Sequence, residues 1–264
     1  MKNLKNKPLL ETVLEIKWTT KKDHPKNINL GGGNLQSFKT DEFHKIFFAK
    51  MYDHLLNTGY PEYLELPQAG IPEEFATHQV QHRFTQSGHS WPMVQIGPGI
   101  LTLNEALNYE WENFHTRSIQ LVDNLYKLHP KKEDLIITQL QLRYINAIDF
   151  NFEKEDIHGL LRKLKININY DKSLFEATGL LNSVPGMSYL VAFKSAEPKG
   201  ELLISLTSGE VNGVPKLMWE LTFRSNVDEL DVEKEFEVWV DGAHRVIDRW
   251  FLTSIEGEMQ GRFE

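Results

Sequence analysis

The sequence predicts an α+β protein with helices packed on mainly antiparallel sheets. Three observations carry that expectation. Several segments alternate apolar and polar residues at period two, as half-buried strands do. Others repeat apolar residues at spacings of three and four, as amphipathic helices do. Glycine, proline and asparagine turns separate many of the strand-like segments at hairpin distance.

The elements follow in order. Leu10, Thr12, Leu14, Ile16 and Trp18 share one face, opposite Glu11, Glu15 and Lys17, which defines a first strand. A polar excursion runs from His24-Pro25 to Gly31-Gly32-Gly33-Asn34. Thr40 is then the expected N-cap of a helix over 41–57, with Asp41 and Glu42 in the first turn, where the helix dipole favours them. Phe43, Ile46, Phe47, Met51 and Leu55 make its apolar face, and Gly59 closes it. His78, Val80, His82 and Phe84 alternate with Gln79, Gln81 and Arg83, predicting a second strand. Gly97-Pro98-Gly99 between Gln95-Ile96 and Ile100-Leu101 predicts a hairpin, which supplies the third and fourth strands. Trp111, Phe114, Ser118, Leu121, Leu125 and Leu128 predict a helix over 109–128, and Leu135 to Phe150 reads as a long strand.

The second part has a different grain. Asp156 to Leu164 reads as a short helix or turn, and 165–170 alternates around Ile166 and Ile168 like a strand. Strands are expected at 190–193, 202–206 and 217–223, separated by Glu197-Pro198-Lys199-Gly200 and Asn212-Gly213-Val214-Pro215. Apolar residues on both faces of 217–223 point to a strand buried twice or paired with another chain. Phe236, Trp239, Val240, Ala243, Val246, Ile247, Trp250 and Phe251 then form one broad stripe on a long C-terminal amphipathic helix. The expectation is two sheet-plus-helix halves. Residues 1–152 read β-α-β-β-β-α-β, and 153–264 read as an antiparallel meander closed by the last helix, an arrangement compatible with one continuous body.

Composition narrows the classes of function. A chain of 264 residues can bury a real core. Its net charge of −8 argues against nucleic acid as a partner, since that affinity comes mostly from phosphate neutralisation. The basic amino end (Lys2, Lys5, Lys7, Lys17, Lys21, Lys22, Lys26) reads as a solvated face. The absence of cysteine excludes disulfides, thiolate catalysis and thiolate metal sites. No apolar run approaches the ~20 residues of a membrane span, and no secretory hydrophobic core follows the first residues. A cytoplasmic location is expected.

A set of motifs recurs in order along nearly the whole chain. These are Pro8-Leu9-Leu10-Glu11, the Gln95-Ile96-Gly97-Pro98-Gly99 hairpin, the Trp111 helix, Leu142-Arg143-Tyr144-Ile145-Asn146, and Ala243-His244-Arg245-Val246-Ile247 before Phe251. Together they resemble a sporadically distributed family of bacterial and archaeal proteins of about this length, for which no activity is established. Patchy occurrence of that family implies an accessory role, such as phage defence or a toxin–antitoxin locus.

The residues that could carry chemistry are few. His78 and His82 lie about 13 Å apart along one face of a strand; a helix would bring them together, but Val80 and Phe84 alternate as in a strand, and His89 is a third possible ligand across a turn, so surface or core histidines are preferred to a metal site. No metal site or cofactor is therefore expected. His244 precedes Asp248 by one helical turn, a spacing that can orient an imidazole, yet no nucleophile elbow accompanies it. A helix-face hydrogen bond is the simpler role. Gly31-Gly32-Gly33-Asn34 lacks the Lys-Ser/Thr of a phosphate loop. Arg143 points away from Tyr144 and Asn146 on a strand and calls for a carboxylate partner, so a structural salt bridge is preferred to a substrate clamp.

These readings describe a non-enzymatic binding or interaction protein with no catalytic residues, accessory to a co-encoded protein partner. A homodimer would cover the apolar surface of the second half. The alternative is a small-molecule-binding or hydrolase-like enzyme with a pocket between sheet and helix. In that case His82, Arg143, Tyr144, Asn146 and His244 should converge within about 10 Å.

Overall fold

The computed structural model describes every residue except 1–3, 5, 22–42, 72–74, 107–108, 182 and 226–229. The elements are β1 (Leu9–Thr20), α1 (His44–Asn57), β2 (Glu62–Glu65), β3 (His82–Thr85), β4 (Met93–Gly97), β5 (Ile100–Glu105) and α2 (Trp111–Leu128). They continue with β6 (Leu135–Asp149), α3 (Ile157–Lys163), α4 (Lys172–Thr178), β7 (Ser188–Ala196), β8 (Lys199–Val211), β9 (Val214–Ser225) and α5 (Val232–Ile255).

Period-two alternation is what makes these strands one object. All nine join a single sheet in the order β2-β3-β4-β5-β1-β6-β9-β8-β7, every neighbouring pair antiparallel. The expected two sheets, one in each half, are thus replaced by one, fused where β6 pairs with β9 from Gln141–Arg224 to Asp149–Lys216. The register lines up side chains in rows across the strands. One row runs Tyr63, Phe84, Val94, Leu103, Leu14, Leu142, Phe223, Leu202, Phe193, apolar or aromatic in every strand. The adjacent row, on the opposite face, runs Arg83, Gln95, Thr102, Glu15, Gln141, Arg224, Glu201, Lys194. A register slip of one residue would exchange the two faces, so the pairing is strongly specified.

The helices cover the apolar face. α5 is the largest contributor. Phe236, Trp239, Val240, Ala243 and Ile247 are buried on it, and its rings meet the sheet as Trp239 on Phe223 (centroids 6.3 Å) and Phe251 stacked on Trp219 (5.3 Å). Gly242 has a steric reason: a Cβ there would sit 2.9 Å from the ring of Pro198, in the β7–β8 turn. α2 lies beside α5, with His115 Nε2 3.4 Å from Asp241 Oδ1, and is tied to the sheet by Arg117 on the buried Glu105 at 2.7 Å. β9 is consequently central. Leu217, Trp219, Leu221 and Phe223 are fully buried under the helices while Met218 and Glu220 are half-buried on the other side, where among the described residues no helix is seen to cover the strand.

The Gly-Pro-Gly hairpin forms as expected, between β4 and β5. Gly97 permits a close crossing, since a Cβ there would fall 1.8 Å from the Gln79 carbonyl oxygen, and Gly99 adopts φ +69°. Other segments depart from the expectation. The predicted 78–84 strand is confined to His82–Thr85, because His78 takes φ 61° and its amide turns back onto the Pro98 carbonyl at 2.8 Å. Residues 166–170 form no strand. Lys165 takes φ 60° and the Ile166 amide closes the end of α3 on Leu161 O at 2.8 Å, which leaves Ile166 and Ile168 packing on the core from a loop. Thr40, Asp41, Glu42 and the Gly31–Asn34 stretch lie outside the described residues.

Ending the chain before Val232 would uncover the Trp219–Leu221–Phe223 row. Such a truncation is expected to bind a hydrophobic dye and lose its cooperative thermal transition; a sharp transition would show that α5 is peripheral. In the full chain, Trp219→Ala should cost about 3–5 kcal/mol in urea unfolding.

Candidate functional site

Between the centre of the sheet and α5 lies a cavity of about 70 Å³, lined by residues that include Pro8, Leu9, Tyr109, Tyr144, Asn146, Leu221, His244, Ile247, Asp248, Phe251 and Leu252. Tyr144 and Asn146 project from the helix-covered face of β6, two residues apart. His244 and Asp248 project from α5, one turn apart. Tyr109 comes from the connection between β5 and α2, and Trp111 opens α2.

Three buried polar groups form a chain. Tyr109 Oη lies 2.5 Å from Tyr144 Oη, which lies 2.9 Å from His244 Nδ1. Trp111 stacks flat on the imidazole, with centroids 3.7 Å apart and planes 11° from parallel. Asn146 donates from Nδ2 to the Trp219 carbonyl at 3.2 Å, which fixes it to the neighbouring strand β9.

The environment sets the protonation states. Burial drives the phenols of Tyr109 and Tyr144 well above the usual tyrosine range, so both stay protonated. Burial, reinforced by the charges of Arg245 and His115, lowers the His244 pKa to about 4, so the ring is neutral near pH 7. One donation pattern then links all three groups: Tyr109 donates to Tyr144, and Tyr144 donates to His244 Nδ1, leaving the hydrogen on Nε2. Asp248, half-buried in the cavity wall, has its carboxyl pKa raised by burial.

Of the five residues singled out from sequence, Tyr144, Asn146 and His244 meet at this cavity. The other two lie elsewhere, so the five-residue convergence does not occur. Arg143 is on the opposite face of β6, as alternation requires, and forms a two-pronged ion pair with Glu220 of β9 at 3.0 and 3.0 Å. Thr222 donates to the same carboxylate at 2.8 Å. His82 sits at the β2–β3 end of the sheet, stacked on Phe48 (3.9 Å) with its Nδ1 3.0 Å from Tyr63 Oη. His78 Nε2 lies 3.3 Å from the Trp18 carbonyl oxygen. Among the described residues no three histidine or carboxylate side chains come together as a metal-binding group.

Sequence reasoning missed Tyr109. The expected 109–128 helix takes it as a first helical residue, whereas it stands in the connection before α2, four residues after Glu105 ends β5. Trp111 was legible as a helix residue but not as the cover of His244.

Tyr109, Tyr144 and His244 Nδ1 are thus bonded to one another and the imidazole face is stacked on an indole, while Lys7 and Asp248 also line the cavity.

Because His244 is neutral when folded but titrates at about 6.5 when unfolded, the unfolded chain binds the extra proton between those values. The stability this histidine supports is complete above pH 6.5 and is lost as pH falls towards 4, a loss of about 3 kcal/mol. His244→Gln should flatten that acid limb in urea unfolding series measured across the window; an unchanged limb would show that His244 is not the titrating group. No protein-family model and no curated protein matches this chain.

Proposed function

We propose that the chain is a non-enzymatic interaction protein, and that the cavity beside β6, β9 and α5 receives a small apolar anchor group of a protein partner. The observation that carries this reading is the combination of size and saturation. A volume of about 70 Å³ is well under the 300–1,000 Å³ typical of pockets for metabolite-sized ligands. Three of the polar groups in its wall, Tyr109, Tyr144 and His244, are already bonded to one another, and Asn146 is bonded to the main chain of β9. A small pocket with a rigid, satisfied floor suits a single buried side chain, the kind of contact that dominates protein interfaces. Among the described residues no helix is long and apolar enough to cross a membrane, which fits a partner met in solution.

The resemblance to a sporadically distributed family supplies the setting proposed for that partner: a co-encoded protein of a phage-defence or toxin–antitoxin locus, met in the cytoplasm. The chain itself acts as a homodimer. A hydrolase-like alternative has one observation in its favour, the half-buried Asp248 with its raised pKa, four residues from His244 in the same cavity wall.

The test pairs binding with turnover. Purified protein should capture the product of a neighbouring gene, and Leu252→Trp, which fills the rim of the cavity, should weaken capture at least tenfold. Nucleotide, ester and peptide substrates should remain intact. Turnover abolished by Asp248→Asn would overturn the interaction reading in favour of the enzyme.

A further inference from the structure

The two edges of the sheet differ in how they are protected. β2 is four residues long and carries Glu62 and Glu65, the short length and charge that blunt an edge. β7 is nine residues long, and from Ser188 to Ala196 it carries one charge, Lys194, and no proline. β8 pairs with it on one side, and among the described residues no strand lies on the other. Its side chains are unusually open for an apolar strand, with Leu190 67% and Phe193 45% exposed. An edge of this kind is a template for a further strand.

The sequence of β7 says which strand. About Val191 it is nearly a palindrome in character: Tyr189 mirrors Phe193, Leu190 mirrors Ala192, and Ser188 mirrors Lys194. We propose that β7 pairs antiparallel with β7 of a second copy across a two-fold axis at Val191, making one continuous sheet from two chains. This rests on the self-association stated above and gives it a surface.

In that register Val191 meets Val191 of the second copy at the axis. On either side of it Tyr189 lies opposite Phe193, on the face that also holds Leu206, Ile204 and Leu202 of β8. Such aromatic cross-strand pairs are among the favourable ones. On the open face Leu190 lies opposite Ala192, and Lys194 lies opposite Ser188, so no like charges meet. Moving the axis to Ala192 would set Lys194 against Leu190 and break both aromatic pairs. An even register is also the one that keeps α1, α2 and α5 of both copies on the same face of the joined sheet, because paired residues share a face.

Size matters as well. Seven paired residues span about 24 Å, and a strand pair alone falls short of the ~1,200 Å² of a stable interface. The remaining area is present nearby. Tyr170, Leu174, Leu180 and Leu181 are 63, 55, 67 and 83% exposed, and they lead into the start of β7.

The chain has no cysteine, so single cysteines give a clean test. Val191→Cys places the two thiols opposite each other, with Cβ atoms ~4.5–5.5 Å apart. It should form a disulfide-linked dimer under mild oxidation at least tenfold faster than Tyr189→Cys or Phe193→Cys. Light scattering at micromolar concentration should give the mass of two chains for the wild type and of one for Leu190→Lys/Ala192→Lys, two exposed positions whose change leaves the cooperative thermal transition in place but no longer dependent on protein concentration. A monomeric wild type would overturn the self-association and the surface together. A dimer that persists in the double-lysine variant, or equal cross-linking at 189, 191 and 193, would overturn the surface alone. Should the lysine variant fail to fold, the cysteine series decides.

Discussion

The rest of the structure depends on one row of side chains. Tyr63, Phe84, Val94, Leu103, Leu14, Leu142, Phe223, Leu202 and Phe193 cross all nine strands, each contributed by a different one. The hydrophobic effect acts on this row as a unit, because its middle members are removed from water by helices laid over them. The neighbouring row on the other face is polar from Arg83 to Lys194, and its members bond along it: Arg83 to Gln95, Gln141 to Glu15, Arg224 to Glu201. Two incompatible faces leave one register, and that register fixes where each side chain stands.

The cavity follows from the same constraint. β1 lies between β5 and β6, so the strand reached after α2 is hydrogen-bonded to the first strand of the chain. This places Tyr144 on the helix-covered face at the middle of the sheet, within reach of Tyr109 before α2 and of His244 on α5. Arg143, one residue earlier, is forced to the other face and finds Glu220 there. The polar chain Tyr109–Tyr144–His244 is thus the price of crossing an apolar core with hydroxyl groups, met by pairing each buried group with the next. The hydrogen bonds from Tyr109 through Tyr144 to His244 hold that side of the cavity in place.

Local patterns in the sequence located most elements. Alternation over residues 10–18 and 135–150 marks β1 and β6, and the stepping of Trp111 to Leu128 and of Phe236 to Phe251 marks α2 and α5. What depends on contacts distant in sequence was not legible. β2 is a four-residue strand with a glutamate at each end between Pro61 and Pro67, and only its pairing with β3 makes it one. The single sheet arises from the β6–β9 pairing, which no local window contains. The same holds for the site. The opposite orientations of Arg143 and Tyr144 follow from period two, whereas His82 has the residue type of a ligand but is taken up by Phe48 and Tyr63.

The central claim is that residues on both sides of the β6–β9 seam form one cooperative sheet. Native-state hydrogen exchange measures it directly. The paired amides of Gln141 to Asp149 and of Lys216 to Arg224 should be among the slowest in the molecule and open at one common free energy equal to that of global unfolding. Exchange of β7, β8, β9 and α5 through a separate, lower-energy opening that leaves β1 and β6 protected would contradict it.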